Sequence, residues 1–195
     1  MNKKFWLSSV LVGLLVAGAS AADTYKFDLA HSSVAFTVRH MVIANVRGNF
    51  KDFEGTIQYD PADITKSSAD VTIKTASIDT DNAQRDAHLR SADFFDAEKF
   101  PAITFKSKSV ETKGDGFVMN GTLTIRGVSK DVAIPFEILG VVKDPWGGTR
   151  LGAHGELTIN RMDYGVSWSK SLDTGGLVVS EEVKILLDVE AVKAK

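Results

Sequence analysis

Residues 31–41 read HSSVAFTVRHM, and they alternate. Successive side chains of a strand point to opposite faces. One face therefore carries Ser32, Val34, Phe36, Val38 and His40, and the other His31, Ser33, Ala35, Thr37 and Arg39. The apolar face admits three readings. It is a packed core, the wall of a ligand cavity, or the bed of a catalytic histidine.

The pattern spreads outward from this stretch. Residues 24–41 read as a first long strand and 46–59 as its antiparallel partner. Phe50 and Phe53 stand three apart, which breaks the alternation and predicts a bulge near Lys51 and Asp52. Residues 69–78, 102–111, 117–126, 128–142, 151–161 and 179–191 alternate again. Between 80 and 100 the period changes. A short helical insertion is predicted over about 82–99, capped by Thr80, Asp81 or Asn82, with Ser91 capping a second short helix. Asp86 and Arg90 are spaced for an ion pair on the first helix. About eight strands with short turns predict an all-β antiparallel sandwich or closed barrel. A barrel of eight strands is just wide enough to fill with side chains or to hold one small ligand.

The first residues follow a different logic. Lys3 and Lys4 precede an apolar run over residues 5–17, and Ala19-Ser20-Ala21 supplies small residues at a cleavage site. Residues 1–21 are expected to be a secretory signal peptide, cut between Ala21 and Ala22. The remaining 22–195 are expected to form one domain, exported to the periplasm and without stable membrane insertion. That part carries 21 basic against 25 acidic residues, a net charge of −4. Its basic residues are scattered, which argues against a nucleic-acid partner. The chain has no cysteine, which excludes thiolate metal sites and cysteine nucleophiles.

Catalytic signatures are missing from the sequence: it has no GxSxG, HExxH, P-loop or GxGxxG. Asp79-x-Asp81 begins like a calcium loop, but Gln84 stands where glycine is required and Arg90 where the closing glutamate belongs. His31 and His40 lie nine apart, on opposite faces of a regular strand, so a shared metal site is not expected. No catalytic residue, metal ligand or cofactor is assigned. His40 is a candidate polar contact for a ligand head group, as are Arg39 and Trp168. Asp86, Asp93 and Asp96 are read as local ion-pair partners of Arg85, Arg90 and Lys99. Phe94-Phe95 reads as a plug over a barrel end or cavity.

Several motifs, in order, carry a family resemblance. RDAHLRSADFFDAEKFP (85–101), LTIRGVSKDVAIP (123–135) and INRMDYG (159–165) resemble the hallmarks of the YceI-like family of secreted bacterial proteins. HSSVAFTVRHM followed by VRGNFKDFEGTI is similar to that family's start. The resemblance spans 22–195. It implies a lipocalin-like barrel around an elongated cavity that takes a long isoprenoid or other lipid chain, quinone-like or polyprenyl. It also implies a periplasmic location, a homodimer and no catalytic site. On that reading Val34, Phe36, Val38, His40, Phe50, Phe105, Phe117, Met119, Leu123, Ile125, Leu157 and Ile159 line the cavity, with Trp168 at its rim. Two alternatives stay open. One is a lipid-modifying enzyme using His40 or His31. The other is a stress or partner-binding protein with a filled core.

Overall fold

Three of the eight expected strands are broken, and the breaks shape the molecule. The computed structural model describes residues 22–173 and 175–195, so the expected signal peptide lies outside the described residues. The first strand divides into β1 (Asp23–Phe27) and β2 (Ser33–His40), and the second into β3 (Ala44–Phe50) and β4 (Phe53–Tyr59). The third divides into β5 (Ser68–Lys74) and the short β6 (Ile78–Asp79). Helix α1 (Ala83–Arg90) follows, then β7 (Ala102–Lys113), β8 (Gly116–Ile125), β9 (Val128–Lys143), β10 (Thr149–Asn160) and β11 (Val179–Lys193).

Each break has a local cause. Asp28 Oδ1 accepts from Ala30 N, and Asp28 O accepts from His31 N, so the chain turns between β1 and β2. The Ser32 hydroxyl then stands in for a missing ladder bond: it donates to Glu190 O and accepts from Glu190 N. At Lys51-Asp52, the predicted bulge becomes a full break between β3 and β4. The second and third breaks are tied to each other by Lys51 N donating to Ser77 O and Lys74 N donating to Asp52 O. Counted through their breaks, β1–β2, β3–β4 and β5–β6 act as three long bent strands.

Pairing is antiparallel and sequential, and the last strand closes on the first. β11 pairs with β10 on one edge; on the other it meets β1 through Phe27↔Ala191 and Tyr25↔Lys193, and β2 through Val34↔Leu187 and Val38↔Val183. The result is a closed eight-stranded meander. Inward glycines let bulky rings lie flat across neighbouring strands. A Cβ on Gly48 would come within 2.5 Å of the Phe36 ring, and one on Gly121 within 2.5 Å of Phe105.

One end of the barrel is plugged. Asn82 caps α1 through a bond from Arg85 N to its Oδ1. Ser91 ends α1 instead of starting a second helix, and residues 91–99 form turns. The expected Asp86–Arg90 ion pair is not made. Asp86 is buried and accepts from the backbone and hydroxyl of Thr80, because the helix presses it against the entering chain. Arg90 donates to Ala76 O and Ile78 O. The plug drives Phe94 into the interior, where its burial stabilises by about 2 kcal/mol.

At the same end, β2 and β3 are joined by the three-residue loop Met41-Val42-Ile43, whose turn, centred on Met41-Val42, is closed by Ile43 N donating to His40 O. Met41 and Val42 have φ of 49° and 65°. That conformation suits Asn-Gly, and it costs other residues about 1–2 kcal/mol each.

Candidate ligand cavity

The inward faces enclose an elongated cavity of about 260 Å³. It runs from Ile138, Leu151 and Val189 at one end to Phe94, Phe95 and Val179 under the plug. The surface facing it is apolar throughout. This answers the question raised by the first alternating stretch: Val34, Phe36 and Val38 stand on a cavity wall. Phe50, Phe105, Met119, Leu123, Ile125, Leu157 and Ile159 stand there too. Phe94 and Phe95, read as a plug, close the wall at the helical end.

Four of the expected contacts lie elsewhere. His40 is on the inward face but past the end of the cavity, opposite Val179 in the last rung of β2. Its imidazole makes no hydrogen bond to a carboxylate among the described residues. Phe117 is beyond the opposite end, where its ring packs 5.5 Å from that of Phe136. Trp168 backs the wall without lining it: its ring lies 5.3 Å from Phe94 and 5.3 Å from His88. Arg39 is exposed on the outer face. The wall also includes residues the sequence reading passed over, among them Phe27, Ile73, Ile134, Ile185 and Leu187. Ile73, Ile134, Ile185 and Leu187 share the parity of their strands' inward faces, whereas Phe27 comes inward only because the break at 28–32 shifts the period.

Arg161 is the group least expected in an apolar wall. It is 5 % exposed and sits where the 3-10 turn Arg161–Tyr164 leaves β10. Among the described residues it forms no salt bridge, and the Glu181 carboxylate acts on it only from a distance. Its Nε donates to Ser180 O at 2.9 Å, Nη1 to Val166 O at 2.6 Å and Trp168 O at 2.8 Å, and Nη2 to Val179 O at 3.2 Å. The guanidinium thus gathers both ends of the loop between β10 and β11. Burial pushes its pKa down, and burial likewise pushes the Tyr164 phenol up. Arg126 repeats the device, donating to Gly165 O and to Ala92 O, which joins the plug to the same loop.

The opposite end holds a different cluster. Asp28, His31 and Glu190 lie close enough together to ligate a cation. Arg150 already occupies that place: its Nη1 donates to Asp28 Oδ2 at 2.7 Å and to Glu190, and its Nε to Asp144 Oδ2 at 2.9 Å. Hydrogen bonds from His31 and then Arg150 hold the Asp28 carboxyl down at about 2. The three carboxylates raise the Arg150 pKa in turn. His31 is therefore on the outer surface, bonded to Asp28 at 3.0 Å and away from the cavity.

A closed antiparallel meander around an apolar tunnel, with its polar clusters outside or turned to backbone, is a lipocalin-like binding barrel. Comparison with known proteins agrees. The chain belongs to the YceI-like domain family, whose model matches residues 25–191. A UPF0312 protein of Shewanella sp. is 42% identical over 99% of this chain and 100% of its own length. Protein YceI of Salmonella newport is 39% identical over 99% and 100%. The crystal structure of a YceI protein from Campylobacter jejuni superposes with TM-score 0.71 at 40% identity, covering 80% of this chain and 90% of that one. A polyisoprenoid-binding domain from Saccharophagus degradans shares the fold, with TM-score 0.62 at 16% identity over 90% of this chain and 100% of its own.

Proposed function

We propose that the barrel holds the hydrocarbon chain of an isoprenoid-class lipid, polyprenyl or quinone-like, and carries or sequesters it without chemical change. The observation behind this reading is the continuous apolar wall from Leu151 to Phe95. An extended chain moved there from water gains about 25 cal/mol for each Å² of apolar surface removed, before the costs of binding. The polyisoprenoid-binding neighbour supports the ligand class. Tyr59, Ser67, His154, Arg161 and Tyr164 belong to the wall but turn no polar surface to the cavity, and His31 and His40 lie off it, which supports binding over catalysis. The leader-like residues 1–21 support a periplasmic setting. A solid interior, as the filled-core alternative requires, is at odds with the cavity.

The test is to strip the protein, reload it with prenyl lipids of increasing length, and weigh the complexes by gentle-ionisation mass spectrometry. A one-to-one adduct that extracts unmodified is expected. Ile185→Trp, which fills the middle of the wall, should cut loading at least tenfold. Equal loading of that variant, or no loading of the parent, would remove the proposal.

A homodimer has its own support. β8 stops pairing at Phe117↔Phe136, so β9 continues past it with one edge unpaired by β8. Leu139 and Val142 are exposed on that stretch, and Trp146 beyond it. A bare apolar edge is a template for a second strand. Val142→Lys should turn a dimer into a monomer in sedimentation; a species of unchanged mass would count against this edge.

A further inference from the structure

We propose that the β2–β3 tip, Met41-Val42-Ile43 flanked by Arg39, Arg47 and Lys170, docks the barrel on a lipid surface bearing anionic headgroups. The inference goes beyond the cavity's cargo and does not depend on it. It rests first on exposure. Met41, Val42 and Ile43 are 42, 61 and 83 % exposed, three consecutive apolar side chains facing solvent. Single exposed apolar residues are ordinary, but a contiguous group marks an interaction site.

The second observation is the backbone. A turn with positive φ at both central residues favours Asn-Gly, and a β-branched residue is a true outlier there. This tip places Met41 and Val42 in those positions at φ 49° and 65°. Val42 lies beside Gly176 of the neighbouring loop, where an added Cβ would come within 3.1 Å of its methyl group. The strain thus holds apolar side chains outward, where the fold itself gains little from them.

Charge names the partner. Arg39 and Arg47 are exposed on the two strands that form the tip. Lys170 is exposed in the adjoining loop, where its carbonyl accepts from Val178 N and Val178 O accepts from Met41 N. Among the described residues, none of these three cations forms a salt bridge with a carboxylate. Of the acidic groups nearby, Asp173 is exposed in the same loop, Glu181 accepts from Asn160, and Glu182 is exposed in the irregular start of β11 opposite Arg39, without a salt bridge to it. A cationic collar around an apolar tip, on a chain whose net charge is negative, orients that tip toward an anionic interface. Position completes the case. His40, next to the tip, pairs with Val179, and Val179 and Val38 both line the cavity. The docking end is the end where the cavity's wall meets the plug.

The experiment is vesicle sedimentation of the full-length mature protein, stripped of lipid. The vesicles are phosphatidylcholine alone or three parts phosphatidylcholine to one part phosphatidylglycerol. Binding to the anionic vesicles is expected, weakening with salt, with little to the neutral ones. The triple variant M41N/V42G/I43T should lose at least tenfold in partitioning while its thermal midpoint rises, because Asn-Gly relieves the turn. R39Q and R47Q should each cost about fivefold on anionic vesicles only. Three outcomes would overturn the proposal: a parent that ignores anionic vesicles, a triple variant that binds as the parent does, or one whose midpoint falls. The last would mean that the tip is packed as part of the fold.

Discussion

The two ends of the barrel are both held by arginines, but the arginines grip different things. At the plugged end, Arg85, Arg90, Arg126 and Arg161 donate to backbone carbonyls of the segments that cover the cavity. At the far end, Arg150 gathers Asp28, Asp144 and Glu190, beside a fully buried group of Tyr25, Leu151 and Ala191. Carbonyls fix a loop's path without adding a titrating partner. Carboxylates fix one charge to another and make the lock depend on pH. The far end is also where β1 joins β11 in a continuous ladder, whereas the plug is stitched to the sheet largely by side chains. The difference separates a laddered seam from a cover held by side chains, and it predicts that the cover is the weaker of the two.

The largest expected effect tests the grip on carbonyls. Arg161→Met leaves four carbonyls without their donor and should lower unfolding free energy by about 3 kcal/mol or more, read from urea midpoints. Arg161→Lys should recover little, since an ammonium cannot span the four acceptors. A lysine variant as stable as the parent would break the comparison at its strongest point. Next, amide hydrogen exchange should show Asp86 and Ser91, in and after α1, opening at least a hundredfold more often than the β10–β11 ladder. Arg126→Leu should widen that gap. Equal protection throughout would mean that the plug is as fixed as the seam.

The far end should respond to acid. Asp28 is held at about 2, below the value near 3.9 of an unfolded aspartate. Its contribution is therefore complete above about pH 4 and is lost as pH falls toward 2. Arg150→Met should lower the urea midpoint near neutral pH, with the deficit shrinking across that acid range. A deficit independent of pH would show that Arg150 acts through packing. The smallest effect belongs to neither end. Lys108 and Asp131 pair at 2.6 Å on the exposed wall, and Lys108→Gln should stay within about 0.5 kcal/mol of the parent.

Alternation made much of this legible. It marked eight strands, the irregularity at Lys51-Asp52, and ten of the side chains on the cavity wall. What it reports is the face of a sheet, not the distance along the barrel axis. His40 and Phe117 show the limit: each faces inward, and each stands one step beyond the space enclosed. Trp168 belongs to a loop with no period, so only the packing of Phe94 and His88 could place it. Arg161 stood in plain view within INRMDYG, but its partners are carbonyls, and a sequence does not say which carbonyls will be orphaned. The strand breaks were hidden for a related reason. Residues 28–32 and 75–77 turn through local hydrogen bonds that a two-residue period cannot register.

The seam also dictates when the molecule can finish folding. β11 is the shared neighbour of β10, β1 and β2, and its last rungs pair with residues more than 160 positions earlier. Until that final segment is available, the first strand has a partner on one side only, and the tunnel is an open, curled sheet with an apolar face in water. Loss of the closing segment would undo three ladders at once. Contacts so distant in the chain form late and slowly, so the event that seals the cavity is the one the chain reaches last.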